Sequence, residues 1–210
     1  MTATATDIGP GPRSAVTGGR GIGLLMVVIG VIGWLASFQL TVEDWQVLKN
    51  PRYQPGCNIS PVVGCGSVIS SWQGNIFGFP NMLLGLGAFA AVTAFGAVLL
   101  TGGRLHRSLW LALNAGALAG VVMVHWLIQQ SLYELGRLCP YCAVVWVITI
   151  ALFWYVTLRN LNHEVIQVTG RSQAIVAALT ASHWIVLLTW YVIIAVLVLT
   201  RFWNYWTTVI

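Results

Sequence analysis

Five long apolar runs dominate the pattern of this chain, and polar stretches separate them. The runs cover residues 23–40, 80–100, 109–132, 139–158 and 174–200. Each has room for the roughly 20 helical residues that cross the hydrocarbon of a bilayer. The alternating strands of a membrane β-barrel are absent from the sequence pattern. The pattern therefore predicts an all-α integral membrane protein with five transmembrane helices.

Composition narrows the class of protein further. The 210 residues are 58% hydrophobic and only 7% charged, which is too apolar for a soluble domain. A net charge of +5 in a soluble protein would favour nucleic-acid binding, but basic residues beside apolar runs normally set membrane orientation. We expect membrane lipid around the chain and no nucleic-acid partner. The first run exceeds the ~7–15 apolar residues of a cleavable signal, so it is predicted to be a retained anchor.

The basic residues favour a cytoplasmic N-terminus. That orientation gives the cytoplasmic side Arg13, Arg20, Arg104, Arg107, Arg159 and Arg171, and the other side Lys49, Arg52, Arg137 and Arg201. The excess agrees with the positive-inside rule. All four cysteines then lie on the extracytoplasmic face, which in a bacterial inner (plasma) membrane is oxidising.

The fourth run opens with Cys139-Pro140-Tyr141-Cys142. This spacing puts two sulfurs on one helical turn, and proline suits the first helical position after an N-cap at Cys139. A helix N-terminus favours a thiolate, and Cys142, in the first turn, is expected to be the low-pKa member. The motif predicts a redox-active dithiol at the membrane surface.

The other two cysteines, Cys57 and Cys65, lie in the first outer loop, where Pro61 and Gly64 favour a turn that closes a disulfide. Four cysteines allow three pairings, and the sequence does not choose among them. Thiol–disulfide exchange between pairs is one interpretation. Permanent structural disulfides are the alternative. Zinc is disfavoured, because seven residues separate these cysteines where zinc ligands usually have two to four; no metal is expected.

Exchange between the pairs requires a terminal electron acceptor, and a membrane quinone would suit one. His125 and Gln129 are four residues apart on the third run and share a helical side. They could line the polar end of a quinone pocket, or they could form hydrogen bonds between packed helices. A non-enzymatic scaffold or a transporter braced by disulfides is the alternative from another class, although the runs hold few ionisable residues for transport.

After the first loop cysteine, three motifs follow in a fixed order, the last of which is the C-x-x-C pair. They are Cys65-Gly66-Ser67-Val68-Ile69-Ser70-Ser71, then Phe77-Gly78-Phe79-Pro80-Asn81, then Cys139-Pro140-Tyr141-Cys142. With this order the chain resembles the bacterial disulfide-forming branch of the vitamin K epoxide reductase family over residues 23–158. The unrelated disulfide-oxidising quinone reductase of the periplasm carries its C-x-x-C in the first outer loop, which is the reverse order.

This resemblance implies a four-helix transmembrane bundle around a quinone pocket, with a fifth transmembrane helix added. It implies a thiol–disulfide oxidoreductase that reoxidises a thioredoxin-like dithiol oxidase and reduces a quinone of the menaquinone or ubiquinone class. Cys57 would exchange with the partner and Cys65 would relay to Cys139. Cys142 would then face the quinone.

The resemblance also extends to residues that would bind the quinone. Asn81 matches an asparagine that donates to a quinone oxygen, and Ser71 matches a Ser/Thr position, although either could instead cap a helix. Trp72 would wall the pocket or belong to the interfacial aromatic belt. Trp146 stands where members that reduce vitamin K have a tyrosine, and an indole N–H donates but does not accept. Epoxide reduction is therefore not inferred.

We expect three regions along the chain. Residues 1–20 form a disordered cytoplasmic tail, 21–158 the four-helix catalytic domain with its outer loop at 42–79, and 159–210 a cytoplasmic connector with the fifth helix. Some family members carry a fused thioredoxin-like domain after the fifth helix. No such segment follows here, so the partner is expected to be a separate chain.

Overall fold

A computed structural model describes residues 19–163, 165–166 and 171–209. The helices are α1 (Gly19–Lys49), α2 (Gly66–Ile69), a 3₁₀ helix (Trp72–Asn75), α3 (Met82–Leu100), α4 (Arg107–Gln129), a π-helix (Gln130–Leu135), α5 (Pro140–Asn162), α6 (Arg171–Ala181), α7 (His183–Arg201) and α8 (Trp203–Val209). Five of these segments, α1, α3, α4 with the π-helix, α5 and α7, are long and apolar enough to span a membrane. The prediction of an all-α membrane protein is confirmed. The predicted tail lies outside the described residues except for its last two.

Two boundaries differ from the predicted ones. The first outer loop begins at Asn50 rather than residue 42, because α1 continues past its apolar run. Within that extension the Thr41 hydroxyl donates to the Ser37 carbonyl oxygen at 2.8 Å. The fifth apolar run is divided at Ser182, whose N–H and hydroxyl both donate to the Ala178 carbonyl oxygen. The membrane-spanning part is therefore α7 alone, and α6 precedes it as a separate helix.

Helices α1 and α3 pack with their backbones in close contact. A Cβ atom on Gly33 would lie 2.5 Å from the ring of Phe89, and one on Gly96 would lie 2.8 Å from the carbonyl oxygen of Gly23. Small residues at such points are what allow membrane helices to approach. The pair therefore forms one rigid side of the bundle.

Buried amide side chains join α4 to α5. Asn160, which is fully buried, donates to the carbonyl oxygen of Trp110 at 3.1 Å and to Asn114 Oδ1 at 3.2 Å. Asn114 in turn donates to the Thr157 hydroxyl at 2.9 Å. Polar groups in an apolar bundle are stabilised by such mutual pairing. These bonds lie at the end of the bundle away from the cysteines.

The fifth membrane helix packs along the bundle. Its first residue, His183, bonds Trp154 and Tyr155 of α5, and three further hydrogen bonds lie toward the cysteine end. Trp190 Nε1 donates to His125 Nε2 at 2.9 Å, and the Tyr191 hydroxyl donates to the Val147 carbonyl oxygen at 2.8 Å. Arg201 Nε donates to the Leu132 carbonyl oxygen at 2.8 Å. Helix α7 is thus attached to the four-helix bundle by named polar contacts.

Candidate redox site

The long outer loop is held beside the start of α5 by backbone hydrogen bonds. The N–H of Gly64 donates to the carbonyl oxygen of Leu138 at 3.0 Å, and the N–H of Leu138 donates to that of Val62 at 2.8 Å. These bonds flank an isolated parallel bridge between Val63 and Leu138. The two cysteine-bearing segments therefore meet at one end of the bundle.

The loop cysteines are paired with each other. Cys57 and Cys65 form a disulfide with a Cα–Cα separation of 5.8 Å, within the usual range for such bonds. Cys139 and Cys142 are free thiols. Of the three pairings that the sequence left open, the structure contains this loop pair, with the C-x-x-C pair reduced.

Cys139 is the N-cap of α5, as predicted. Its sulfur accepts the N–H of Cys142 at 3.4 Å, and Pro140 occupies the first turn. Hydrogen bonding from the Cys142 side chain, assisted by the backbone N–H groups of Cys142 and Tyr141, lowers the pKa of Cys139, against the opposing effect of burial. The expectation placed the low-pKa thiol at Cys142, but the helix-terminal N–H donates to the capping sulfur instead.

All four cysteines belong to one buried apolar cluster. Cys57, Cys65 and Cys139 are among its buried members, and Cys142 packs against it. Cys65 and Cys139 are almost completely excluded from solvent, at 0% and 1% exposure. Exchange between sulfurs needs direct approach of one to another, and this cluster gathers the sulfurs that would take part.

A buried carboxylate that the sequence analysis did not single out fixes the segment before Cys57. Glu43, near the end of α1, is 5% exposed and accepts hydrogen bonds from the Tyr53 hydroxyl at 3.0 Å and the Gly56 N–H at 3.3 Å. The bond to Glu43 raises the pKa of Tyr53. An acidic residue just past an apolar run was the available signal in the sequence.

An apolar cavity of about 450 Å³ lies between α3 and α4. Of the four cysteines only Cys142 lines it, beside Asn81 and Trp146. Small residues form much of its wall: Ala88, Ala91, Ala112, Gly116, Gly120. Several lining residues that face the bilayer are exposed, among them Leu84 and Leu109, so the cavity opens sideways between the helices.

Two buried polar atoms in the lining of this cavity have no hydrogen-bond partner within the described chain. They are Asn81 Oδ1 and Trp146 Nε1. Asn81 makes no capping bond to α3, and its Nδ2 donates to the Gln73 carbonyl oxygen at 2.7 Å. Unpaired buried polar groups call for a partner. The Trp146 N–H is suited to donate to an oxygen of a polar ring, whereas Asn81 Oδ1 is suited to accept from a ring hydroxyl.

Ser71 and Trp72 do not line the cavity. The Ser71 hydroxyl donates to the Val68 carbonyl oxygen at 2.7 Å and accepts the Gly74 N–H at 3.2 Å, so it caps the 3₁₀ helix. Trp72 is exposed and packs edge-on against Trp126, with ring centroids 5.8 Å apart. Ser71 thus has the geometry of a cap, and Trp72 contacts Trp126 instead of the cavity.

His125 and Gln129 also lie outside the cavity lining. They share a face of α4 as predicted, but it points toward lipid and α7. The Nδ1 of His125 bonds the Val121 carbonyl oxygen at 2.8 Å and its Nε2 accepts from Trp190, while Gln129 is exposed. The interhelical alternative therefore describes His125, and the polar residue turned inward is Gln130, which the sequence analysis missed.

Gln130 forms a buried pair with Gln73. Gln73 Nε2 donates to Gln130 Oε1 at 3.3 Å, linking the 3₁₀ helix to the π-helix beside the dithiol. Gln130 follows Leu127, a cavity residue, by three positions, so helical periodicity could have indicated it. Gln73 carries no comparable signal.

A membrane-embedded helical bundle with two cysteine pairs at one end defines a membrane thiol–disulfide oxidoreductase. The family model described as the vitamin K epoxide reductase family matches residues 24–157. The chain belongs to this family. No curated protein matches the chain at a significant level. The match covers the four-helix bundle and ends before α7. Among the described residues no group of three or more His, Cys, Asp or Glu is placed to hold a metal.

Proposed function

We propose that this protein oxidises the dithiol of a thioredoxin-like partner outside the cytoplasm and transfers two electrons to a membrane quinone. The family uses quinones and thioredoxin-like partners in general. For this chain the supporting observation is the gathering of all four cysteines in one cluster, with Cys142 alone of the four also lining the large apolar cavity. The net result is disulfide formation in exported proteins.

The first half of the cycle moves a disulfide outward. A partner thiolate attacks Cys57 and releases Cys65 as a thiolate, and the second partner thiolate resolves the mixed disulfide. Two electrons now reside on Cys57 and Cys65, and the partner carries the disulfide. The bonds that hold Gly56 to Glu43 and Gly64 to Leu138 keep both ends of this loop in place.

The second half moves the electrons inward. The Cys65 thiolate attacks Cys139 of an oxidised C-x-x-C pair, Cys142 leaves, and Cys57 then re-forms its bond to Cys65 while releasing Cys139. The resulting state has a closed loop disulfide and a reduced C-x-x-C pair, which matches the arrangement described above. A quinone supplies the acceptor of two electrons and two protons that returns this pair to a disulfide.

The cavity residues support binding of a quinone ring near Cys142. The Trp146 N–H can donate to a carbonyl oxygen, and the amide of Asn81 can donate or accept. The lateral opening between α3 and α4 would admit an isoprenoid tail from the bilayer. The quinone can be of the menaquinone or ubiquinone class, because nothing in the apolar lining distinguishes them.

We further propose a bacterial inner-membrane location with the N-terminus in the cytoplasm. Arg107 donates through Nε and Nη2 to the Val165 carbonyl oxygen, at 3.2 and 2.9 Å, at the end of the bundle away from the cysteines. Arginines concentrated at that end are consistent with the positive-inside rule. Membrane-impermeant labelling of single-cysteine variants tests this: a Cys57 or Cys139 thiol reached only from the cytoplasm contradicts the orientation and the function together.

Quinone reduction by a reduced partner tests the reaction. Membranes would contain the wild type or one of four single variants: Cys57→Ala, Cys65→Ala, Cys139→Ala, Cys142→Ala. We expect loss of activity with the partner in all four. Full activity in either C-x-x-C variant would exclude the terminal step. With a small synthetic dithiol that reaches the C-x-x-C pair directly, we expect Cys57→Ala to retain activity, which separates partner exchange from electron transfer.

A membrane scaffold with structural disulfides is the alternative from another class. It requires permanently oxidised pairs, whereas exchange requires the C-x-x-C pair to pass through a reduced state. Alkylation of free thiols in growing cells distinguishes the two, since cycling requires a fraction of reduced protein that changes with partner supply. Identification of lipids that co-purify with the protein would name the quinone.

A further inference from the structure

A second, much smaller chamber lies behind the dithiol. It measures about 30 Å³ and is lined on its polar side by Gln73, Gln130, Ser131, Cys139 and Cys142. Four residues line both this chamber and the large cavity and form the wall between the two: Val68, Leu127, Cys142 and Trp146. Cys139 lines the chamber but not the large cavity, so its sulfur has no direct access to the large cavity.

The chamber contains a buried polar group that lacks a partner. Gln73 is 5% exposed; one end of its amide bonds Gln130, while its Oε1 has no hydrogen-bond partner within the described chain. A buried amide oxygen in this situation is usually satisfied by ordered water. Since one water occupies on the order of 10–15 Å³ of such a volume, the chamber has room for one or two.

The chemistry of the dithiol requires a proton path at this place. When the two thiols close to a disulfide, each loses a proton, and a quinone reduced to a hydroquinone takes up two. Cys142 can deliver its proton directly into the large cavity, but Cys139 cannot. Among the described residues that line either space there is no Asp, Glu, His or Tyr, so that lining offers no titratable side chain other than the cysteines to carry the second proton.

We propose that the chamber binds water at Gln73 Oε1 and that this water carries the proton of Cys139 past Cys142 during electron transfer. Gln73 is then a positioning residue, since it acts through the water. The proposal rests on the quinone reduction proposed above. The reaction balances without loss of water: two thiols and one quinone give one disulfide and one hydroquinone.

The test measures a single turnover. Purified full-length protein with a reduced C-x-x-C pair is mixed with a short-chain quinone, and disulfide formation is followed with time. Gln73→Met keeps the side-chain length but removes the acceptor, together with the donor to Gln130. We expect the rate to fall about tenfold, the scale of a lost hydrogen bond to an ionising group, with the quinone KM unchanged. The matched control is Gln46→Met, at an exposed position of α1.

Gln73→Glu separates proton transfer from a structural role. A carboxylate restores the acceptor, so the rate should recover and gain a dependence on pH that rises as the new group ionises. A structural role predicts no new pH dependence. An unchanged rate in Gln73→Met, or a loss confined to KM, overturns the proposal. So does Gln73→Glu without a new pH profile.

Two further results separate a damaged variant or a failed proposed function from a failure of this proposal. If Gln73→Met fails to exchange electrons between its cysteine pairs, its fold is damaged. In that case the pH profile of Gln73→Glu by itself supports or refutes the role of Gln73 in proton transfer. A crystal structure that resolves water should have a peak within hydrogen-bond distance of Gln73 Oε1, and a chamber without one would refute the site. If the wild type fails to reduce any quinone, the proposed function fails, which is a different result.

Discussion

Arg201, the last residue of α7, donates through Nε to the carbonyl oxygen of Leu132 at 2.8 Å. Leu132 is fully buried within the π-helix. A π-helix pairs residues five apart and is commonly found at functional sites, and the changed register alters which backbone carbonyls have partners. The fifth membrane helix thus supplies a donor to the segment that leads into the C-x-x-C motif.

Removing this donor should loosen the π-helix. For Arg201→Met we expect the free energy of unfolding in mixed micelles to fall by about 1–3 kcal/mol, because a buried carbonyl oxygen loses its partner. Hydrogen exchange should rise in residues 130–135 and stay unchanged in α3. Arg201→Lys, which keeps a positive donor, is the control and should recover part of the loss. Equal exchange in all three proteins would contradict this role.

The hydrogen bonds at Cys139 predict how its reactivity depends on pH. A lowered pKa gives more thiolate at neutral pH, so modification by a small methanethiosulfonate should have its midpoint below that of an ordinary thiol. Cys142→Ala removes the main donor and should move the midpoint upward. Cys142→Ser retains a hydroxyl donor and should move it less. The same midpoint in the wild type and both variants would contradict the assignment of Cys142 as the main donor to Cys139.

Capping predicts that Ser71 acts on stability rather than on quinone binding. Ser71→Ala should cost about 1 kcal/mol of unfolding free energy, the usual effect of a lost N-cap, while the quinone KM stays at the wild-type value. Ser71→Asn, another good capping residue, should be close to neutral. A raised KM with unchanged stability would instead indicate that Ser71 contacts the quinone.

Trp146 should contribute a hydrogen bond to the quinone. Its buried N–H has no partner within the described chain, so Trp146→Phe should raise the quinone KM about two- to tenfold, as expected for one hydrogen bond worth about 0.5–1.5 kcal/mol. Trp146→Tyr restores a donor and should recover affinity. Equal KM values for the Phe variant and the wild type would remove Trp146 from the binding site.

Local features of the site were predictable from sequence. Cys139 and Pro140 fix the start of α5 through capping and the fixed φ of proline, and both effects act within one turn. Periodicity also placed His125 and Gln129 on one face correctly. The direction of that face was left open between a pocket and an interhelical contact, because it depends on where α5 and α7 pack, and spacing within one helix does not contain that information.

Long-range features could not be predicted for the same reason. The approach of the loop pair to the C-x-x-C pair depends on backbone bonds from Val62 and Gly64 to Leu138, far along the chain. The pair Gln73–Gln130 joins residues 57 positions apart. The quinone-binding roles of Asn81 and Trp146 stay predictions, and the family match supports the fold around them.

The bridge between Val63 and Leu138 has a consequence for how this region tolerates change. Cys65 follows Val63 by two residues, and Cys139 follows Leu138 by one. Deleting Gly64, or inserting a residue between Leu138 and Cys139, would change the position of a sulfur relative to the bridge. Length changes elsewhere in the loop would leave that spacing intact, so insertions should be tolerated around Arg52 and should abolish turnover between Val63 and Cys65.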